Sequence, residues 1–393
     1  MSMEFVEKKA KALYESSSGL SKPSDQFGYG HPFLSYSDVF HNYYVPTELT
    51  TQVNSNEKDR ESCSIKRGDV FLTRTSETTD ELGMSCVALK DYPNATFNGF
   101  TKRLRPITDE IVPEYAAYFF RSSYFRAQCM AMASLITRAS LNDGMIERFR
   151  IRYPKSKDAQ IAIGKVLMNY DNLIEVNTER IKVLEQMAEN LYKEWFVRFR
   201  FPGHEKAEFE DGIPRGWTIR KIGEISTIKA GGDKPEVFSD YPCSGIDVPI
   251  YSNGIDNDGL YGFTDKPNII GESVTISARG TVGCVCLRRV PYVPIIRLIA
   301  IVPNTSIVTA SYLNHYLRRD SVIANGTSQQ QITVPMVFRK RIIVPRRELL
   351  LQFGALEQPI LAEMDLLKAQ NRCFISQRDL LLPRLMSGKL EVS

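Results

Sequence analysis

The chain has 393 residues, of which 43% are hydrophobic and 24% charged, and its formal net charge is +4 at pH 7. That length allows two or three domains with separate cores, and the composition excludes a disordered or fibrous chain. No run of about 18 apolar residues is present, so we expect no membrane-spanning helix. Residues 1–14 are rich in lysine and glutamate and lack the apolar stretch of a signal peptide. The seven cysteines are scattered without a CxxC pair, which predicts a reducing, cytoplasmic location and neither a zinc site nor a disulfide framework.

The first predicted domain covers residues 1–157. Its apolar runs are short and are broken by glycine, proline, asparagine and aspartate, a pattern typical of strands joined by irregular loops. DVFLT at residues 69–73 is one such run, and a short amphipathic helix is predicted around residues 112–121. We therefore expect a strand-rich domain.

A long central helix is predicted over residues 158–201. Its seam residues follow an unbroken spacing of four and three, and they are Ile163, Leu167, Tyr170, Ile174, Asn177, Ile181, Leu184, Ala188, Leu191 and Trp195. This spacing is typical of a coiled coil, and five heptads would span about 50–60 Å. Pro202 and Gly203 are expected to end the helix.

A second strand-rich domain is predicted over residues 202–347, with apolar runs at 273–277 and 282–287 and a short helix around 311–319. A distal helical segment follows over residues 348–393. Its apolar stripe consists of Phe353, Leu356, Ile360, Met364, Leu367, Phe374 and Leu381. Pro383 is predicted to kink or end this helix near Leu382.

The two halves of the chain match each other in order. YAAYFFR at 115–121 resembles YLNHYLR at 312–318, and RIRYP at 150–154 resembles RIIVP at 341–345. Further along, Gln160 matches Gln352, and Asp171-x5-Asn177-x3-Ile181 matches Asp365-x5-Asn371-x3-Ile375. Four matches at an offset of about 191–197 residues indicate one architecture used twice.

Asn177 and Asn371 occupy equivalent positions in the two helices. A polar seam residue lowers stability but fixes register and orientation, so we infer that the two helices pair with each other. The alternative is that each helix packs separately on its own domain.

The charge is distributed unevenly along the second half. Residues 205–272 contain 13 acidic and 7 basic residues, whereas residues 279–347 contain 11 basic residues and one acid, Asp320. The basic segment predicts either an electrostatic footprint for a polyanion or a solvated basic surface.

Recognisable catalytic and cofactor motifs are missing from the sequence. There is no GxxxxGK[ST] phosphate loop, and the glycines at 28, 30, 231 and 232 lack the pattern of a dinucleotide site. No Asn-Pro-Pro-aromatic element of an adenine methyltransferase is present, and the acidic residues within 247–265 do not fit a calcium loop. We therefore predict no catalytic, cofactor-binding or metal-binding residue.

Three segments resemble the specificity subunits of type I restriction–modification systems. The most specific is LIEVNTERIKVLEQMAENLYKEWFVRFRFPG at 173–203, which resembles the central spacer helix of that family. PRGW at 214–217 with KIGEI at 221–225 looks like the entry to a second recognition domain, and RDLLLPRLMSG at 378–388 is similar to the end of the distal helix. Together with the repeat, the resemblance covers essentially the whole chain.

This resemblance implies an α+β fold: two strand-rich target-recognition domains separated by two long helices that form an antiparallel coiled coil, with a pseudo-twofold internal repeat. It implies a non-catalytic chain that binds double-stranded DNA and assembles with two modification (methyltransferase) subunits, joined in the full complex by motor-nuclease restriction subunits. S-adenosylmethionine, ATP and Mg²⁺ would then be held by those partners. Each domain would read one half-site in the major groove, and the helices would measure the gap between half-sites.

Polar loops that follow predicted strands are the candidate DNA contacts, because base edges are recognised by hydrogen-bonding side chains and glycine permits close approach. The candidates are Arg74, Thr75, Ser76, Lys102, Arg103, Arg138, Ser140, Asn142, Ser252, Asn253, Ser277, Arg279, Thr281, Ser328, Gln329 and Gln330. The candidates for helix pairing or partner contact are Asn177, Leu184, Leu191, Trp195, Asn371 and Leu385. The alternatives are that the loops are solvated turns and that Trp195 packs within the helices rather than against a modification subunit.

Two other functions remain open on the residues alone. One is a stand-alone DNA methyltransferase or nuclease whose active site has no recognisable local motif. The other is a coiled-coil scaffold that recruits proteins without binding DNA.

Overall fold

The computed structural model describes residues 3–76, 81–132, 139–254, 256–320 and 331–392. The chain forms two compact units, which we call unit 1 (Met1–Thr178 with Lys368–Ser393) and unit 2 (Glu179–Leu367). Each of the two long helices begins in one unit and ends in the other. The division into domains 1–157 and 202–347 with helical segments 158–201 and 348–393 stays a prediction.

Unit 1 contains eleven strands within the described ranges. They are β1 Phe5–Lys9, β2 Tyr14–Ser18, β3 Phe27–Leu34, β4 Gln52–Val53, β5 Val70–Thr73, β6 Thr75–Ser76, β7 Ser85–Val87, β8 Thr96–Phe97, β9 Thr101–Pro106, β10 Ala139–Ser140 and β11 Arg150–Pro154. Its short helices are α1 Tyr36–His41, α2 Glu57–Ser62, α3 Pro113–Phe119, α4 Ser123–Met132 and α5 Asp143–Ile146. The first long helix, α6, is Lys157–Tyr192.

Unit 2 contains another eleven described strands. They are β12 Phe209–Glu210, β13 Ile213–Pro214, β14 Thr218–Lys221, β15 Ser226–Ala230, β16 Val248–Tyr251, β17 Leu260–Thr264, β18 Ser273–Ser277, β19 Val285–Arg288, β20 Val293–Pro294, β21 Leu298–Pro303 and β22 Arg341–Val344. Its short helices are α7 Ile222–Ile225, α8 Ala310–Arg319 and α9 Val334–Arg339. The second long helix, α10, is Arg347–Met386.

The two units share one sheet topology. A four-stranded antiparallel sheet has the order β2-β9-β5-β7 in unit 1 and β15-β21-β18-β19 in unit 2. A smaller sheet pairs β3 with β4 and β8 in unit 1, and β16 with β17 and β20 in unit 2, with one antiparallel and one parallel pairing in each case. An antiparallel pair, β1–β11 or β14–β22, is the third shared sheet. The pairs β6–β10 in unit 1 and β12–β13 in unit 2 have no counterpart in the described part of the other unit. The predicted α+β internal repeat is therefore confirmed.

The repeat extends to individual side chains. The Tyr115 hydroxyl donates to the carbonyl of Arg152 at 2.8 Å, and the Tyr312 hydroxyl donates to the carbonyl of Ile343 at 2.6 Å. Both bonds join a short helix to the last strand before a long helix. The match of Gln160 with Gln352 does not extend to three dimensions, because Gln160 is fully buried and Gln352 is exposed.

Within unit 1 the two long helices lie antiparallel. The Asn177 side-chain amide donates to Gln370 Oε1 at 3.2 Å, and Arg378 forms a 2.6 Å ion pair with Asp171. Moving along α6 from Asn177 back to Asp171, the partner on α10 moves forward from Gln370 to Arg378. The two helices therefore run in opposite directions. The Asn371 amide donates to the carbonyl of Ile174 at 3.3 Å, so both seam asparagines take part in the pairing.

Within unit 2 the helices pair in the same sense. Arg180 and Glu363 form an ion pair at 2.7 Å, and the rings of Trp195 and Phe196 lie 6.0 and 5.1 Å from that of Phe353. The prediction that the helices pair with each other is confirmed inside each unit.

Each unit also buries the helix ends in its core. Leu382, Leu385 and Met386 of α10 join the core of unit 1, around the aromatic residues of α3 and α4. Tyr192 and Trp195, at and just after the end of α6, join the core of unit 2. Among the helices in the described ranges, none combines the length and apolarity needed to cross a bilayer.

Two helix ends differ from the predicted ones. Pro383 is predicted to kink or end α10, and the end is not observed. The helix continues to Met386, because the neighbouring Leu382 and Leu385 are buried and their packing offsets the backbone hydrogen bond that proline cannot make. The first long helix, α6, ends at Tyr192 rather than at residue 201 and is followed by one π-helical turn, Lys193–Val197.

Candidate nucleic-acid interface

In unit 1 three segments converge where β5 ends. The backbone N–H of Arg74 donates to the carbonyl of Phe100 at 2.9 Å, and the Arg74 carbonyl accepts from the N–H of Leu141 at 2.9 Å. Strand β6 pairs with β10, which places Thr75 opposite Ser140. The predicted candidates around residues 73–76 and 139–142 are therefore adjacent in the fold.

Two of the predicted polar side chains in this region already have internal partners. The Ser76 hydroxyl donates to Glu81 Oε2 at 2.8 Å. Asn142 Oδ1 accepts from the N–H of Met145 at 2.9 Å and caps the N-terminus of α5. Arg74, Thr75 and Ser140 are half-buried and border the segment around Phe100, whose side chain is 61% exposed.

Lys102 and Arg103 do not lie at the surface, contrary to their selection as candidates. The Lys102 ammonium is buried against Asp143 Oδ1 at 2.8 Å, and its hydrogen bond holds the pKa of that carboxyl below its ordinary value. The Arg103 guanidinium donates to the carbonyl of Ser64 at 2.6 Å, and burial lowers its pKa. Both residues belong to β9 and are only 5% and 8% exposed, because their charged groups bind Asp143 and the carbonyl of Ser64 inside the unit.

Four predicted residues, Arg138, Ser328, Gln329 and Gln330, lie outside the described residues. Their selection as DNA contacts stays a prediction.

In unit 2 the structure brings together residues that the sequence separates by more than 20 positions. The Asn253 amide donates to the carbonyl of Arg279 at 2.9 Å, while the Thr281 hydroxyl donates to the carbonyl of Asn253. The Ser277 hydroxyl approaches the same carbonyl at 3.5 Å. Ser252 precedes this cluster, and its N–H donates to the carbonyl of Gly259 at 2.8 Å.

Gly280 makes the close approach of these segments possible. Its φ of 77° lies in the left-handed region, and a Cβ at this position would stand 2.7 Å from Asn253 Nδ2. Any other residue would be strained and would push Asn253 away from Arg279.

The exposed Arg279 side chain is held by a second segment. Its Nε and Nη2 both donate to Gln331 Oε1, at 3.0 and 2.8 Å. This contact restricts the guanidinium, and no other described residue accepts from its remaining N–H groups, so the arginine is presented in a defined orientation.

The same three-segment junction occurs in both units. In unit 2 the N–H of Ala278 donates to the carbonyl of Arg297 at 2.7 Å, and the Ala278 carbonyl accepts from the N–H of Ile332 at 3.0 Å. Ala278, Arg297 and Ile332 thus stand where Arg74, Phe100 and Leu141 stand in unit 1. Sequence reasoning missed the segments that contain Phe100 and Arg297. For the former, the Asn98-Gly99 pair is a turn signal that could have indicated it.

The basic segment 279–347 is not one continuous charged surface. Arg288 is buried, donates to Thr275 Oγ1 at 3.0 Å and stacks on Tyr251. Arg289 forms an ion pair with Asp365 at 2.5 Å. The charge count along the sequence therefore overstates the exposed positive charge in this part of unit 2.

The helix candidates fall into two groups. Trp195 and Leu385 are buried in the cores of unit 2 and unit 1, so Trp195 packs within the fold. Leu184 and Leu191 are half-buried, and Asn177 and Asn371 hold the helix pair as described above. Contact of any of them with a partner subunit stays a prediction. In the described ranges, no group of three His, Cys, Asp or Glu side chains is arranged to hold a metal ion.

Comparison with known proteins gives a consistent result. Residues 4–186 and 214–349 match the family model of the type I restriction modification DNA specificity domain. The type I restriction enzyme MjaIX specificity subunit of Methanocaldococcus jannaschii is 25% identical over 98% of this chain and 93% of its own length. The type I restriction enzyme HindI specificity subunit of Haemophilus influenzae is 22% identical over 91% of this chain and 94% of its own length.

A solved structure supports the fold. The crystal structure of the S subunit of a type I restriction-modification system from M. genitalium matches with a TM-score of 0.59 at 15% identity, covering 98% of this chain and 96% of that one. The two regions matched by the family model fall in the two halves of the repeat and together make up most of the chain. The chain therefore belongs to the type I restriction–modification DNA specificity family, as a non-catalytic specificity subunit rather than a methyltransferase or nuclease.

Proposed function

We propose that this chain recognises a bipartite double-stranded DNA target, with unit 1 contacting one half-site and unit 2 the other. The observation that carries the proposal is the repeated junction at the end of β5 and of β18. In each unit this junction brings polar segments from distant parts of the sequence together at the end of one strand of the four-stranded sheet. A pair of equivalent surfaces suits a target composed of two half-sites.

The residues at the two junctions suit base recognition. Arginine pairs with guanine through O6 and N7, asparagine pairs with adenine, and hydroxyl groups accept or donate to several bases. We assign Arg74, Thr75 and Ser140 to the first half-site. For the second half-site we assign Ser252, Asn253, Arg279 and Thr281. Arg138, Ser328, Gln329 and Gln330 stay in the proposed set on the sequence alone. Lys102, Arg103 and Ser277 leave it because they are buried.

We infer that the long helices set the unread gap between the half-sites. Two observations support this inference: α6 and α10 are continuous, and each contributes residues to both units. The asparagines at 177 and 371 would fix the register of the helix pair, which is the usual effect of a polar seam residue.

We further propose that the chain acts in the cytoplasm with two modification subunits and, in a full complex, with restriction subunits. The catalytic chemistry would then reside on those partners, which would hold S-adenosylmethionine and ATP with Mg²⁺. The family membership and the seven free cysteines agree with this assignment.

The test is a binding selection on a randomised duplex library. The full chain, alone and with candidate modification subunits, is incubated with the library at two salt concentrations, and the bound DNA is sequenced. We expect two short motifs at a fixed gap that remain enriched at the higher salt. Salt-sensitive binding without any enriched motif would instead indicate contacts to phosphate alone and would refute the proposal.

A further inference from the structure

The turn between β20 and β21 holds an arginine in an unfavourable backbone conformation. The N–H of Leu298 donates to the carbonyl of Ile295 at 3.2 Å, which closes a four-residue turn with Arg297 in the third position. Arg297 has a φ of 73°, in the left-handed region. Glycine adopts this conformation freely, whereas a side chain with a Cβ is strained there.

The equivalent turn of unit 1 shows that the architecture does not require this strain. There the N–H of Thr101 donates to the carbonyl of Asn98 at 3.0 Å, and Phe100 occupies the third position. Phe100 does not have a positive φ. The strained residue is therefore specific to unit 2 and is not a consequence of the shared fold.

The Arg297 side chain makes no compensating contact within the described part of the chain. It is exposed, and no described residue forms a hydrogen bond or an ion pair with it. A strained residue whose side chain has no partner among the described residues points to a role toward an external ligand.

The backbone places Arg297 beside the residues already assigned to the second half-site. Its carbonyl accepts from the N–H of Ala278 at 2.7 Å, and the next residue, Leu298, pairs with Ser277 in the sheet. Ala278 directly precedes Arg279, so two exposed arginines flank one hydrogen-bonded junction. Because the turn and this bond fix the backbone of Arg297, little backbone entropy is lost when its side chain binds.

We propose that Arg297 is a specificity-determining residue of unit 2 that reads a guanine through a bidentate contact to O6 and N7. The ligand chemistry follows from the planar guanidinium, whose paired N–H groups match the two acceptors of guanine in the major groove. This assignment rests on the proposed function, since it adds a base contact to the same junction.

The test compares four forms of the full chain with candidate modification subunits: the unchanged protein, R297G, R297K and R220A. Arg220 is exposed on β14, in a different sheet of the same unit, so R220A controls for loss of one positive charge. Each form is passed through the randomised duplex selection, its Kd for the selected duplex is measured at several salt concentrations, and its Tm is recorded.

We expect R297G to keep or raise the Tm, because glycine relieves the strain at φ 73°. The same variant should lose the preference for guanine at one base pair, with Kd for the selected duplex rising about 5- to 150-fold and the rest of the motif unchanged. R297K should lose the same preference, because lysine lacks the planar fork. R220A should keep the full motif.

Two results would overturn the assignment alone: an enriched motif that R297G leaves unchanged at every position, or uniform weakening with a shallower salt dependence, which indicates a phosphate contact. Absence of any enriched motif with the unchanged protein would overturn both this assignment and the proposed function.

Discussion

At the scale of single residues, Lys102 shows how unit 1 neutralises a buried charge. Its ammonium contacts both carboxylate oxygens of Asp143 at 2.8 and 2.9 Å and the hydroxyl of Ser18 at 2.9 Å. Because the ammonium is buried and the carboxylate is half-exposed, loss of the carboxylate charge would strand the ammonium away from water.

Asp143→Asn should therefore lower the free energy of unfolding by about 1–2 kcal/mol, a figure reduced for the partial exposure of the carboxylate. The matched control is Glu147→Gln, an exposed residue just after α5 whose substitution should stay within about 0.5 kcal/mol. Urea unfolding of both variants gives the comparison, and equal stabilities would contradict the account.

The pH dependence of the same pair has a defined sign. Because Lys102 lowers the pKa of Asp143 in the folded chain, the stabilisation is fully present above the ordinary aspartate pKa of about 3.9. It is lost as the pH falls through the lowered folded value. The difference in stability between the unchanged protein and Asp143→Asn should shrink as the pH falls below about 4, and a constant difference down to pH 2 would count against it.

Individual site residues were only partly predictable from the sequence. Arg279 could be selected because polar residues beside glycine after a predicted strand indicate an exposed loop. Asn253 could be selected because its loop resembles one that is common in these recognition domains. The burial of Lys102 depends on β9 lying between β2 and β5, and such a strand order is set by contacts distant in sequence. The turn that contains Arg297 is likewise held by a hydrogen bond to Ala278, which is distant in sequence.

At the scale of elements, the seam of the helix pair contains a buried polar residue. Asn177 is 5% exposed and its amide donates to the exposed Gln370. A leucine at this position would bury apolar surface, while the side chain of Gln370 could turn to water. The asparagine therefore costs stability and contributes register.

Asn177→Leu should raise the free energy of unfolding of unit 1 by about 1 kcal/mol. Asn172→Leu is the control, because Asn172 is exposed on the same helix and its substitution should change stability by less than about 0.5 kcal/mol. Chemical denaturation monitored by circular dichroism measures both. A lower free energy of unfolding in Asn177→Leu would contradict the prediction. It would show that the hydrogen bond of the Asn177 amide stabilises unit 1 more than a buried leucine does.

The long helices were the most predictable elements. The four-three spacing of α6 can be read from neighbouring residues in the sequence, and it predicts a helix with one apolar seam. The internal repeat predicts a second helix of the same kind. Both helices and their pairing could therefore be anticipated. The end of α10 could not, because the effect of Pro383 depends on the burial of Leu382 and Leu385 in the core of unit 1. The pairing of β6 with β10 also lies beyond local patterns, since the strands are far apart in sequence.

At the scale of the whole molecule, unit 1 is assembled from both ends of the chain. The Met3 N–H donates to Glu391 Oε1 at 3.1 Å, and Leu385 is 1% exposed in the core of the unit. The stability of unit 1 therefore depends on Leu385, which is far in sequence from the N-terminal part of the unit.

Leu385→Ala should lower the stability of unit 1 by about 2–5 kcal/mol, because it removes a fully buried side chain and leaves a cavity. Leu380→Ala, at a position of α10 that is 64% exposed, should cost far less. Thermal unfolding followed by limited proteolysis assigns the loss to unit 1 by its fragments. Equal effects of the two substitutions would contradict the packing described for α10.

The central claim is that two repeated units read two half-sites at a separation set by the helices. It is tested most directly by the Kd of the full chain, with its modification subunits, for duplexes that carry both selected half-sites at gaps shortened or lengthened by one to five base pairs. Each added base pair moves the half-sites apart by about 3.4 Å and rotates them by roughly 35°. We predict a single affinity maximum, with at least about a tenfold loss for a change of one base pair. Equal affinity across all gaps, or equal affinity for a duplex with one half-site, would contradict the claim.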